Sequence, residues 1–391
     1  MQERAILVAA GTRAFVIGFC GIFIGLYLAR LGLPPTRVGI IIGLGFAGTA
    51  TGTGLVTLYG DRLDRRSALA ATTLLSAMGL GILATSGDAG LLSAVAFLGM
   101  ANGMGRDRGP AQALELGFLA DRTTGEARTA LFTRYTAAQD ICGGLGSLAA
   151  VLPDLPGISD RLAAYRASLW TAAALSLLPL LAYAVLPAEK APTLADGTAF
   201  VSRDTRRRVL SLSALFGLDS LGGGFLAGSV LAYWFFRRFG WAGERLGPLF
   251  FAAKTLNVAS YFGSEFLARR IGLIRTMVYT HLPSNLLLLV LPFTTNAAVA
   301  MTAFLMREAL VQMDVPARQA YVATVTSPGE RTFAMGATSV TRNLGWAVGP
   351  GLAGASIAAF GLAAPLLIGA GLKMVYDLAL YRSFRDVGEP A

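Results

Sequence analysis

Charge is what this sequence has least of. Asp, Glu, Lys and Arg make up 14% of its 391 residues, against about a quarter in a soluble domain. A chain this poor in charge is not built as a water-facing globule. Histidine is scarcer still, with His281 the single example, and the two cysteines, Cys20 and Cys142, both fall inside apolar runs. No C-x-x-C or H-x-x-x-H spacing occurs, so no metal site, no cofactor and no disulfide is expected. An intramembrane enzyme would need a nucleophile with its base, or a metal cluster, and these residues supply neither. The Walker A pattern G-x-x-x-x-G-K-[ST] is missing as well, which argues against ATP as the energy source.

What fills the space is hydrophobic. Apolar residues are 54% of the chain, and the mean hydropathy is +0.59. They come as long runs such as "AFVIGFCGIFIGLYLA", "LWTAAALSLLPLLAYAVL" and "LPSNLLLLVLPF". A membrane-crossing helix needs about 20 mostly apolar residues, and runs of that size recur throughout. Forty-seven glycines suit helices that pack closely where lipid supplies no hydrophobic drive. The first run contains Arg13 and is too long for a cleaved leader, so it is expected to be a retained span.

The formal charge of +10 invites a nucleic-acid reading, but the basic residues sort by loop instead. With a cytoplasmic N-terminus, the inner loops and C-terminal tail carry roughly sixteen Lys and Arg and the outer loops roughly seven, the asymmetry that orients membrane proteins. The expectation is an integral protein of a bacterial-type inner membrane, both termini cytoplasmic, with the lipid bilayer and not nucleic acid as its surroundings. A monomer is expected.

Twelve spans are predicted, at 5–31, 37–60, 67–87, 90–119, 129–152, 166–187, 209–236, 246–270, 274–294, 297–325, 332–356 and 362–384. The polar stretch "LPAEKAPTLADGTAFVSRDTRRR" divides them six and six. The expected organisation is an all-α membrane protein of two pseudo-symmetric six-helix bundles, 1–187 and 209–391, joined by a cytoplasmic linker at 188–208. The halves repeat each other: Gly11 aligns with Gly217, Tyr27 with Tyr233 and Pro110 with Pro316. Duplication of this kind builds many secondary transporters.

"YGDRLDRRSAL", residues 59–69, resembles the loop signature G-x-x-x-D-R-x-G-R-R of the major facilitator superfamily. Asp61, Arg62, Arg65 and Arg66 match, while Thr57 and Asp64 stand at the two glycine positions. "GWAVGPGLAG" (345–354) is similar to the G-x-x-x-G-P-x-x-x-G pattern of that family's proton antiporters, although it lies in the eleventh span and not the fifth. The resemblance implies the twelve-helix fold, a cavity lined by the first, fourth, seventh and tenth helices, and a gating latch. In that latch Asp61 and Arg62 belong to the loop, Asp61 sits near the start of the eleventh helix, and Arg65 bridges toward Asp121.

Charges inside the spans carry the functional expectation. At 1.5 Å per residue, Arg13 lies about 12 Å into its helix and Asp219 about 15 Å into its own, while Arg108 and Asp314 are roughly 15 Å from their cytoplasmic ends. All four are near the middle of a ~30 Å slab, where a charge costs at least ~2.5–3.5 kcal/mol and so faces protein or water. The repeat pairs Arg13 with Asp219 and Arg108 with Asp314, a base in one half against an acid in the other. These charges are expected to face a shared chamber, binding substrate and exchanging protons. Structural ion pairing within or between halves is the competing reading. Arg106 and Asp107 adjoin Arg108, and adjacent residues on a helix cannot all face one way. Arg307, Glu308 and Lys254 are further candidates for substrate or proton binding. Asp140 and Arg342 are expected to pair between halves, Lys373 and Asp377 to form a local i,i+4 pair, and His281 to be a packing residue.

The function these features point to is secondary active transport of a small molecule by alternating access, proton-coupled, with efflux of an amphipathic compound or metabolite. Transport of an organic or inorganic anion held by Arg13, Arg106, Arg108 and Lys254 is the alternative. A passive channel is the rival from another class.

Overall fold

The computed structural model describes residues 2–59, 64–101, 103, 105, 109–122, 125–187, 203–325 and 331–385. In chain order the helices are α1 (Gln2–Arg30), α2 (Pro35–Tyr59), α3 (Arg65–Thr85), α4 (Ala89–Leu98), α5 (Pro110–Arg122) and α6 (Gly125–Ala149). A 3-10 turn at Leu152–Asp154 leads to α7 (Arg161–Leu175) and α8 (Pro179–Tyr183). Then follow α9 (Arg203–Gly224), α10 (Gly228–Phe239), α11 (Gly243–Ile271) and α12 (Leu273–Phe293). The last four are α13 (Ala297–Val311), α14 (Asp314–Thr324), α15 (Arg331–Phe360) and α16 (Ala364–Phe384). Among the described residues there is no strand. Hydrocarbon offers no hydrogen bonds, so a spanning backbone must satisfy itself, and the helix does so locally.

These helices make up the twelve spans, with one systematic correction. The stretches 90–119, 166–187, 209–236 and 297–325, read from sequence as continuous spans, are each interrupted: α4 and α5, α7 and α8, α9 and α10, α13 and α14. Proline opens or nearly opens the second piece in three of them, with Pro110 first in α5, Pro179 first in α8 and Pro316 third in α14. Proline lacks the N–H a helix interior needs but fits a helix start. In the fourth span Met100 and Gly105 also take positive φ, 52° and 75°. The backbone freed there is re-satisfied by a neighbour, since Ser229 donates both its N–H (3.0 Å) and its hydroxyl (2.9 Å) to the Gly103 carbonyl. The expected linker 188–208 also needs amendment, because residues 203–208 are the first turns of α9. Residues 188–202 lie outside the described residues.

Among the described residues, six segments are long and apolar enough to cross a membrane by length and composition alone: Gln2–Arg30, Pro35–Val56, Arg65–Thr85, Arg206–Phe239 (α9 with α10), Leu273–Phe293 and Ala364–Phe384. Large apolar side chains such as Leu181, Phe293 and Phe360 lie bare on the surface, as lipid-facing positions require.

The chain divides into two compact units. One comprises Met1–Ala195 with Ala227–Phe251, the other Asp196–Leu226 with Ala252–Ala391. In the first, α1 packs along α6; in the second, α9 packs along α15. Both crossings are made by glycine. A Cβ on Gly18 would stand 2.0 Å from the Gly143 carbonyl oxygen, and one on Gly224 would stand 2.7 Å from the Gly349 Cα. Gly18 relates to Gly224, and Gly143 to Gly349, by the same offset that relates Arg13 to Asp219 and Pro110 to Pro316. Each unit thus repeats a close glycine contact of the other.

Candidate functional site

In the first unit α1 carries Arg13 into the bundle, where it meets a partner the sequence reading missed. Its two terminal nitrogens donate to both carboxylate oxygens of Glu115 on α5, at 2.8 and 2.6 Å. Two phenols complete the set: Tyr183 on α8 and Tyr135 on α6 each donate to Glu115 at 2.6 Å. Gln139 donates to the Tyr135 hydroxyl at 3.4 Å and accepts from Gln112 at 3.1 Å. The Glu115 side chain is fully buried and that of Arg13 is half-buried. A paired and hydrogen-bonded charge is the form in which ionised groups survive burial. The signal was available: "PAQALELG" holds one acid in an apolar helix, and an acid at membrane depth needs a partner.

Arg13 also forms part of the wall of a partly open pocket within this unit. The wall runs from α1 across α2 and α3 to the breaks between α4 and α5 and between α7 and α8. Apart from Arg13, its polar side chains are the hydroxyls of Thr49, Thr72, Thr73, Ser76 and Ser176. Thr49, Thr72, Thr73 and Ser176 donate to carbonyls of their own helices and keep oxygen lone pairs as acceptors. Apolar walls with a few hydroxyls beside an interrupted helix are the kind of lining that suits a small molecule.

The second unit holds a larger charged cluster, drawn from four helices. Asp219 of α9 accepts from Lys373 of α16 at 2.6 Å and lies 3.5 Å from Arg318 of α14. Arg318 donates in turn to Asp314 at 2.6 Å. His281 of α12 places Nδ1 2.7 Å from Asp377 Oδ1, and Asn285 donates to Asp377 Oδ2 at 2.9 Å. The imidazole's other nitrogen is 3.4 Å from Lys373 Nζ and 3.7 Å from Asp219 Oδ1. Every one of these side chains is buried. Two readings are corrected here. Lys373 and Asp377 do not pair with each other along their helix, because each is claimed by a group on another element. His281 is no bystander in packing but lies between two acids.

Other sequence candidates fall as follows. Arg307 pairs with its neighbour Glu308, whose second oxygen accepts from Asn257 at 3.0 Å, and all three are buried. Lys254 lies half-buried on α11. Arg342 donates to Ser220 at 3.2 Å, beside Asp219. The charges expected to look together into one chamber are each paired inside their own unit: Arg13 with Glu115, Asp219 with Lys373, Asp314 with Arg318. Arg106, Asp107 and Arg108 lie outside the described residues, as do Asp61, Arg62 and the Asp121 side chain. Arg65 opens α3, and its Nη2 would stand 3.7 Å from a Cβ on Gly117, one turn before position 121. Asp64 caps α3, accepting from the Ser67 N–H at 2.8 Å and the Ser67 hydroxyl at 2.6 Å, and these bonds lower its pKa. Among the described residues no group of three or more His, Cys, Asp and Glu side chains could hold a metal ion.

Comparison with known proteins agrees with this architecture. The chain is 23% identical over 372 residues to an uncharacterised membrane protein of Saccharomyces cerevisiae, covering 83% of this chain and 81% of that one. Its fold is similar to that of the nucleoside transporter NupG, with a TM-score of 0.78 at 13% identity and 98% and 99% of the two chains covered. A D-xylose–proton symporter superposes with a TM-score of 0.74 at 15% identity over 97% of each chain. A family model described as Major Facilitator Superfamily matches residues 6–313. With twelve spans in a duplicated arrangement and that match over most of its length, the chain belongs to the Major Facilitator Superfamily.

Proposed function

We propose that this protein is a proton-coupled secondary transporter that exports a small, uncharged amphipathic compound or metabolite by alternating access. The observation that carries the substrate class is the wall of the cavity in the first unit. Among the described residues it combines apolar side chains and hydroxyls with one cation, Arg13, whose charge is cancelled by Glu115 in a bidentate pair. A cancelled charge gives little attraction to a free anion, and hydroxyls beside apolar walls suit a neutral solute with a few polar groups. Arg13, one of the four cations on which the anion alternative rests, therefore gives it less support. Proton coupling is supported by acids and bases buried at membrane depth in the second unit, since a carboxylate's proton affinity changes when an opposing charge approaches or leaves. The likeness of "GWAVGPGLAG" to the antiporter pattern favours export over import. The charge asymmetry of the loops favours a bacterial-type inner membrane with cytoplasmic termini.

Reconstitution into vesicles holding a pH-sensitive dye tests the reading. Adding a substrate found by thermal-shift screening of neutral, anionic and cationic compounds should move protons in proportion to substrate, and an imposed pH gradient should drive accumulation. Substrate flux that ignores the gradient and moves no protons would instead identify a passive channel or uniporter. Stabilisation by anions alone would return the anion reading.

A further inference from the structure

The charged cluster of the second unit is built around an imidazole. Three acids, Asp219, Asp314 and Asp377, stand with two cations, Lys373 and Arg318, and His281 lies between them. Other groups surround it: Arg307 pairs with Glu308 on α13, Tyr376 of α16 lies edge-on to the imidazole at 5.9 Å, and Arg342 of α15 donates to Ser220 beside Asp219. Charges packed this closely in a low-dielectric interior respond strongly to the arrival or loss of one proton.

We propose that His281 and Asp377 form a buried binding site for one exchangeable proton, read out through Lys373 at Asp219. The inference deepens the proton-coupled reading above, and rests on it for its consequence in transport. In the neutral ring, Nδ1–H donates to Asp377 and Nε2 accepts from Lys373, which itself donates to Asp219. These contacts run as one line: Asp377, His281, Lys373, Asp219. A proton arriving at Nε2 turns that acceptor into a donor. The new N–H then opposes the Lys373 ammonium at 3.4 Å and competes for the Asp219 oxygen at 3.7 Å. Proton uptake thus loosens the Lys373–Asp219 contact, and proton loss restores it. The cluster also has unused hydrogen-bonding capacity. Asn285 Oδ1 and Arg318 Nε are buried with no hydrogen-bond partner, whereas every oxygen of Glu115 in the first unit is doubly engaged. Spare donors and acceptors beside a titratable ring are what a proton path through water requires.

Because His281 is the chain's single histidine, its ring can be watched alone. The full-length protein, purified without a polyhistidine tag and labelled with 15N-histidine, should show one imidazole signal that changes with pH. Asp377→Asn and Lys373→Met should move the midpoint of that change in opposite directions, because they remove opposite charges within contact distance of the ring. A ring signal that stays constant with pH in the wild-type protein overturns the site. So does a midpoint that neither variant moves. If the ring titrates as expected while vesicle transport proves independent of the proton gradient, the site stands and the coupling reading falls.

Discussion

Asp154 accepts the backbone N–H of Gly243 at 2.7 Å, so a turn after α6 anchors the first residue of α11. The same carboxylate accepts from the Tyr165 hydroxyl at 2.7 Å and from Arg30 at 2.9 Å, with Arg161 at 3.4 Å, and its side chain is fully buried. Gly243 is required there, since a Cβ would stand 2.0 Å from the Ala150 carbonyl oxygen. The contact adds to the packing of α10 on α1 that joins Ala227–Phe251 to the first compact unit.

In the alternating-access cycle proposed above, we expect this anchor to break as the protein changes state. Asp154→Ala strips a buried carboxylate from four donors, and losing one side of a buried charged contact costs about 3–5 kcal/mol. The variant should unfold at lower temperature, and a cysteine placed at Arg238 should react faster with an external thiol reagent. Unchanged labelling in a stably folded variant would restrict Asp154 to a structural role.

Arg13 and Glu115 should behave as one unit. Arg13→Met alone leaves a buried carboxylate without its main partner, at about 3–5 kcal/mol, and Glu115→Gln alone leaves a half-buried guanidinium, at a smaller cost. The double variant removes both charges and should recover much of the lost stability, since distant sites add and paired sites do not. Thermal unfolding in detergent across the four-protein cycle measures this. Additive losses would mean that the two residues act independently.

Alanine at the two equivalent glycine contacts should damage both units alike. Gly18→Ala meets backbone at 2.0 Å and Gly224→Ala at 2.7 Å, where no flexible side chain can yield. Gly54 and Gly351 are helical glycines with open space around the Cβ position, and alanine there should be neutral or stabilising by about 0.4–1 kcal/mol. Folded yield by fluorescence-detected size exclusion gives the ranking. Equal yields from all four variants would remove the packing explanation.

Asp64 should contribute stability only while ionised. Its bonds to Ser67 hold its pKa below the ordinary aspartate range. The cap is therefore at full strength above the unfolded-state pKa and is lost as pH falls through the lower folded-state value. Asp64→Ala should cost about 1 kcal/mol at pH 7, and the gap from wild type should close as the medium is acidified below about pH 4. A gap that stays constant down to pH 2 would argue against a charge-dependent cap.

How much was legible in the chain differs between fold and site. Long apolar runs announce helices because composition alone decides whether a segment can enter lipid. The interruptions were less visible, although Pro110, Pro179 and Pro316 mark three of them, because a proline can kink a span or end it and only its neighbours settle which. Arg13 stood out as a charge at depth, but Glu115, Tyr135 and Tyr183 come from three other helices, and no local spacing links them. His281 was misjudged for the same reason. Lys373 and Asp377 sit at a spacing that favours a local pair, and that pair loses to stronger partners on α9 and α12.

The sequence by itself determined that this is a membrane protein, that its spans fall in two related halves, and which charges lie far from water. Those properties follow from hydropathy and repetition, which are read along one dimension. Only the tertiary structure decided the partners, because side chains on helices distant in sequence meet through packing that no single segment encodes. It brought Arg13 to Glu115 and His281 between Asp377 and Asp219, and in low dielectric the choice of partner fixes what a buried charge can do.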